Sequence, residues 1–175
     1  MQLGCNDTLR AFGSLRGTRY SFESMDAQRL LRRGRDFVAF LTAYEADMKK
    51  GGAPLFSLLE EELRPGADAA DYLLRSMELC AAILEIDPVR VYTFDTMREA
   101  IAGALPLGKA REMLGSLLGG RIGVLFAQPQ VDRKLVLACL HLILRREGRF
   151  SALAMHTLSA FPMELLCALT LREIL

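Results

Sequence analysis

Two histidines, four cysteines and a run of three glutamates are the side chains of this chain that invite a search for catalysis or metal binding. His141 and His156 fall in different helical stretches, and neither stands in a Ser–His–Asp or Cys–His arrangement of the kind that activates a nucleophile. His141 lies in the apolar stretch Leu135–Leu144, where a histidine is expected to be buried and bonded to a backbone carbonyl. Cys5, Cys80, Cys139 and Cys167 are far apart, with no C-x-x-C pair and no histidine at zinc spacing. Three of them sit inside apolar helical runs, so they are expected to be reduced thiols acting as small hydrophobes. Glu60, Glu61 and Glu62 occupy adjacent positions, which point in different directions on a helix and cannot converge on one ion; they are expected to face solvent. The expectation is a protein that is not an enzyme, with no catalytic residue, metal or cofactor.

The stretch Gly103-Ala-Leu-Pro-Leu-Gly108-Lys109-Ala110 resembles the phosphate-binding loop G-x-x-x-x-G-K-[ST]. In that motif backbone N–H groups wrap the phosphates, the lysine reaches the outer ones and a hydroxyl holds magnesium. Ala110 stands where the hydroxyl residue belongs, and the segment follows a helix where the motif needs a strand. The expected structure is a proline-containing turn between helices. A second resemblance is to the Bcl-2 family of apoptosis regulators. Gly120-Arg121-Ile122-Gly123-Val124-Leu125-Phe126 is similar to that family's N-W-G-R-I signature region, and Leu30, Gly34 and Phe37 have the spacing of its death motif. The resemblance implies a helix-in-groove regulator in which Arg121 pairs with an acidic residue of a partner helix. Gly119 and Gly120 replace Asn and Trp of the signature, Arg35 sits where the death motif has Asp, and the chain has no Trp for the second signature.

Binding is the role for which the chain carries the most residues. Arg10, Arg16, Arg19, Arg29, Arg32, Arg33 and Arg35 fall within the first 35 residues, with Phe12, Tyr20 and Phe22 between the first of them. Guanidinium groups pair with phosphates bidentately and aromatic rings stack on bases, so the pattern is compatible with RNA. It is also compatible with an acidic protein, or with a solvated face paired with the acidic middle of the same chain. Net charge is only +1, because basic segments at 1–35 and 89–175 flank an acidic one at 36–88, whereas most free-standing nucleic-acid binders are clearly basic. The leading reading is therefore a non-catalytic adaptor that docks onto a protein or ribonucleoprotein assembly. Its contact residues would be Arg10, Arg16, Arg19, Tyr20, Arg29, Arg32, Arg33, Arg35 and Arg121, together with any apolar groove beside the central helix. The alternative is a ribosome-associated or other RNA-bound factor.

The elements that would position these residues read as helices. At 175 residues, 51% apolar and 25% charged, the chain suits one folded domain. Val131–Phe150 is nearly free of polar residues between Asp132, a candidate cap, and Gly148, a candidate stop, so a helix over about 132–147 is expected at the centre. Apolar residues recur at three- and four-residue steps from Ser24 to about Lys50, with Gly34 in the stripe at a position that suggests close helix contact. Further helices are expected over Leu55–Leu63, Asp68–Ile86, Asp95–Ala104, Pro106–Leu118, a short one from Ser151 and a last one from Pro162 to Leu175. Val89–Phe94 alternates like a strand, but no second strand is evident, so a turn or an irregular helical lead-in is expected. The fold class is all-α: a single bundle of about eight or nine helices over 24–175, preceded by an Arg/Gly-rich segment over 1–23 that would be poorly ordered by itself. No stretch is apolar enough to span a bilayer and no secretory signal is visible, so a cytoplasmic location is expected.

Overall fold

A computed structural model describes Thr8 and residues 15–23, 27–47, 55–61, 63–116, 132–147, Leu158 and 160–175. Among these are seven helices and one small sheet. The helices are α1 (Ala27–Asp47), α2 (Leu55–Glu60), α3 (Ala69–Ile83), α4 (Phe94–Ala104), α5 (Leu107–Ser116), α6 (Arg133–Glu147) and α7 (Pro162–Ile174). The strands are β1 (Leu15–Arg16), β2 (Ser21–Glu23) and β3 (Val91–Tyr92). The class is helical, as the apolar periodicity predicts, and the described helices are fewer than the eight or nine expected. No helix is long and apolar enough to cross a membrane among the described residues.

The helix ends follow their local chemistry. Asp68 caps α3 in a reciprocal box: its Oδ1 accepts the Asp71 N–H at 3.1 Å while Asp71 Oδ2 accepts the Asp68 N–H at 3.0 Å. Thr93 and Thr96 make the same exchange at the start of α4. Asp132 Oδ1 accepts the Lys134 N–H at 3.0 Å, so the expected cap of α6 is formed, and Pro162 opens α7. The end of α3 is less conventional. Ile86 N–H reaches back to Ala81 C=O and Glu85 N–H to Ala82 C=O, with Glu85 at φ 56° in the left-handed position usually given to glycine. That conformation costs a residue with a β-carbon roughly 1 kcal/mol. It turns the chain into the 86–92 segment, and the Glu85 carboxylate meets Lys134 of α6 at 2.5 Å.

Among the described elements, α3 and α7 touch the widest set of neighbours. α3 packs against α1, α2, α4 and α7, and α7 packs against α1, α2, α3 and α6. The helix expected at the centre, α6, is buried from Val136 to His141 and packs chiefly on α5 and α7. Gly34 is where α1 and α3 meet: a β-carbon there would collide with the Ala69 carbonyl and the Ala70 nitrogen. The thiols join helices as buried hydrophobes with weak hydrogen bonds. Cys80 Sγ lies 3.6 Å from Cys167 O, and Cys139 Sγ 3.8 Å from Ala110 O. Burial pushes the Cys80 thiol up and that of Cys139 to about 11.

Two expectations are corrected by the sheet. β3 is a strand, and its partner lies in the N-terminal segment: β2 pairs with it in parallel, Ser21 opposite Val91 and Phe22 opposite Tyr92, while β1 pairs antiparallel to β2. The boundary drawn after residue 23 is likewise not a boundary of packing, since Tyr20 and Phe22 belong to the same core as the helices. Tyr20 and Tyr92 pack edge to face at 6.3 Å between ring centres. Their hydroxyls donate to the Ile86 and Asp87 carbonyls at 3.1 and 2.8 Å, tying the hairpin to the turn after α3.

His141 is buried, and its Nδ1 has no hydrogen-bond partner among the described residues, so no carbonyl satisfies that nitrogen there. Burial first, and the charge of Arg145 second, hold its pKa below the ordinary 6.5. A lowered histidine means that the unfolded chain takes up the proton first. Stability is therefore full above 6.5 and falls as the pH drops from there towards the lowered folded value. The urea midpoint is expected to decline as the pH falls below about 6.5, and His141→Leu to flatten that decline. An unchanged slope in the variant would show that another group is responsible.

Candidate functional site

The most elaborate polar arrangement in the described structure lies where the β1–β2 hairpin meets α3. Glu78 projects from the middle of α3 with its side chain wholly enclosed. Its Oε1 accepts the backbone N–H groups of Thr18, Arg19 and Tyr20 at 2.7, 3.0 and 3.0 Å. Its Oε2 accepts the Thr18 hydroxyl at 2.5 Å and Arg75 Nη1 at 3.2 Å. A buried carboxylate normally carries a large desolvation penalty, and here five donors surround it. The hairpin turn can wrap the carboxylate because Gly17 has φ 95°, and because a β-carbon at Gly17 would approach Glu78 Oε1 to 2.8 Å and Phe22 Cδ2 to 2.9 Å. The turn is thus shaped around an acid from another element.

A second clamp lies beside it. Arg16 at the end of β1 reaches Asp68 Oδ2 at 2.7 Å and Asp71 Oδ1 at 2.9 Å through Nη2, and donates from Nε to Asp71 Oδ1 at 3.1 Å. Burial raises the Asp68 pKa, but the hydrogen bonds from Arg16 and the α3 backbone and the charge of Arg16 outweigh it and leave the carboxyl below its ordinary value. Between the hairpin, the 63–68 connection and the first turns of α3 runs a cleft of about 470 Å³ with Arg75 and Glu78 in its lining.

Sequence reasoning missed this cluster. The available signal was Arg75 and Glu78 inside the apolar set Leu73, Leu74, Met77, Cys80 and Ala81, where a charge needs a partner.

The candidate binding residues are distributed as follows. Arg16 is engaged by the acidic middle of its own chain. Arg19 is exposed, although its backbone N–H belongs to Glu78. Tyr20 is 2% exposed and Phe22 1%, so neither ring offers a face on which a base could stack; the aromatic part of the RNA reading is corrected to core packing. Arg33 lies over the Phe94 ring at 4.7 Å and lines a small hollow with Arg29. Arg32 and Arg35 are exposed on α1 and form no ion pair among the described residues. Arg10, Arg121 and Phe12, with the whole Gly120–Phe126 signature, lie outside the described residues, as do Cys5, His156 and Glu62.

No protein-family model matches the chain, and comparison with known protein sequences and with solved structures gives no match. The two local resemblances therefore rest on their own geometry. Gly103 closes α4 while Gly108 and Lys109 open α5, so the segment is a helix–turn–helix connection and not a loop wrapped around a phosphate. Leu30, Gly34 and Phe37, which have death-motif spacing, face inward: Leu30 and Phe37 are buried and Gly34 abuts α3. Among the described residues, no three histidines, cysteines or acids are close enough to hold a metal ion.

Proposed function

We propose that this chain is a non-catalytic, cytoplasmic helical module that docks onto an acidic protein surface through the exposed arginines of α1. The observation that carries the reading is the pair Arg32 and Arg35, exposed one helical turn apart with no ion pair among the described residues. Their helix is held rigidly, because Gly34 between them lets α1 sit directly on the α3 backbone. A charge displayed on a fixed helix steers association with an opposite surface and sets its orientation. Enclosure of Tyr20 and Phe22 favours a protein over RNA as the partner, since phosphate contacts alone would supply little preference for RNA.

The test compares wild type with the Arg32→Glu, Arg35→Glu double variant, recovered from the cells that make the protein at low salt, with and without ribonuclease. The expected result is an acidic protein that accompanies wild type despite ribonuclease and binds the double variant at least about tenfold more weakly. Recovery of the same partners with both proteins would overturn the assignment. Loss of all partners on ribonuclease treatment would instead make the chain an RNA-associated factor.

A further inference from the structure

We infer that the cleft between the β1–β2 hairpin and α3 is a binding site for a small organic anion, a carboxylate or phosphate group carried on a compact apolar body. None of the residues that line the cleft belongs to α1, so this inference does not depend on that docking role. Its volume of about 470 Å³ falls within the range of small-molecule pockets. Three acids and three arginines contribute to the lining, and the hydrogen-bonding partners decide which sign remains available. Glu78 already accepts from five donors. Asp68 and Asp71 share Arg16 and accept each other's backbone N–H groups. The carboxylates therefore have little capacity left for a cationic ligand.

Arg64 differs from the other two arginines. It is exposed on the 63–68 connection at the cleft and makes no ion pair among the described residues. A guanidinium can grip a carboxylate or phosphate through two parallel N–H bonds. Half-buried Leu63 and Ala67 supply apolar surface in the same lining, to which the buried Leu15 and Leu74 also belong, which suits a body of hydrocarbon or aromatic character behind the anionic group. The turn that forms one wall is fixed by Glu78, so the wall is preorganised before any ligand arrives.

The test is a titration of the full chain with benzoate, read by amide chemical shifts, beside benzylamine, which has the same ring and the opposite charge. Saturable shifts at Gly17, Thr18, Arg64 and Ala67 with benzoate, and none with benzylamine, are the expected result. Arg64→Ala, at an exposed position that leaves the fold intact, should weaken benzoate binding about tenfold. Ala67→Phe, which fills the cleft without touching a charge, should abolish it. Benzylamine binding as tightly as benzoate, shifts confined to other parts of the chain, or an Arg64→Ala affinity equal to wild type would each overturn the proposal.

Discussion

Glu78→Ala is expected to lower the stability of the protein by about 3–5 kcal/mol, which for a chain of this size is a fall in melting temperature of roughly 10 °C or more. Removing the carboxylate leaves the Thr18, Arg19 and Tyr20 N–H groups without the oxygen they share, and takes the Glu78 charge away from the buried Arg75. Glu78→Gln retains the shape and one carbonyl oxygen, so it should lose about half as much. Arg75→Leu should also be milder than Glu78→Ala, because Glu78 keeps its four other donors when the guanidinium is gone. Urea midpoints give the order, and amide hydrogen exchange at residues 18–20 gives the mechanism. Fast exchange there in Glu78→Gln with α3 still protected would show that the acid holds the hairpin. A Glu78→Ala protein as stable as wild type would mean that the carboxylate is incidental to the fold.

The second large effect is expected at Gly34. In an exposed helix interior, Gly→Ala raises stability by about 1 kcal/mol through helix propensity. Here the added β-carbon meets backbone atoms of Ala69 and Ala70, and backbone at the start of a capped helix cannot move aside as a flexible side chain would. The collision outweighs the propensity gain, so Gly34→Ala should destabilise by about 1–3 kcal/mol and Gly34→Val by more. Gly103 is the control. It lies in α4, where an added β-carbon would meet nothing within 4 Å, so Gly103→Ala should stabilise by up to about 1 kcal/mol. If both glycines gave the same sign in urea unfolding, the close crossing of α1 and α3 would be wrong.

Much of the helical plan was legible from local chemistry. Asp68, Asp132 and Pro162 marked helix starts that the structure reproduces, because capping depends on neighbours a few residues away. The inward stripe of Leu30, Gly34, Phe37 and Leu41 on α1 was readable for the same reason, as was the close contact suggested by Gly34. The strand Val91–Tyr92 was not legible. Its partner, Ser21–Phe22, lies about seventy residues away in a segment with no periodicity of its own, and a two-residue strand leaves too little pattern to detect.

The helical class, most helix boundaries and the buried character of α6 follow from the order of apolar and capping residues along single stretches of chain, and residue order alone was enough to set them. Which helix the others surround, and which charges are available to a partner, depend on how those stretches meet in space. Arg75 and Glu78 carry charges that would ordinarily keep one side of α3 in water, yet the hairpin supplies donors to Glu78, and Glu78 and the Thr18 hydroxyl oxygen accept from Arg75, so both lie inside. Arg16 has the composition and setting of a binding residue in the sequence, and folding places it between Asp68 and Asp71 instead. A charge can be buried or neutralised only by a partner brought to it through folding, so its fate rests on distances that the order of residues does not record.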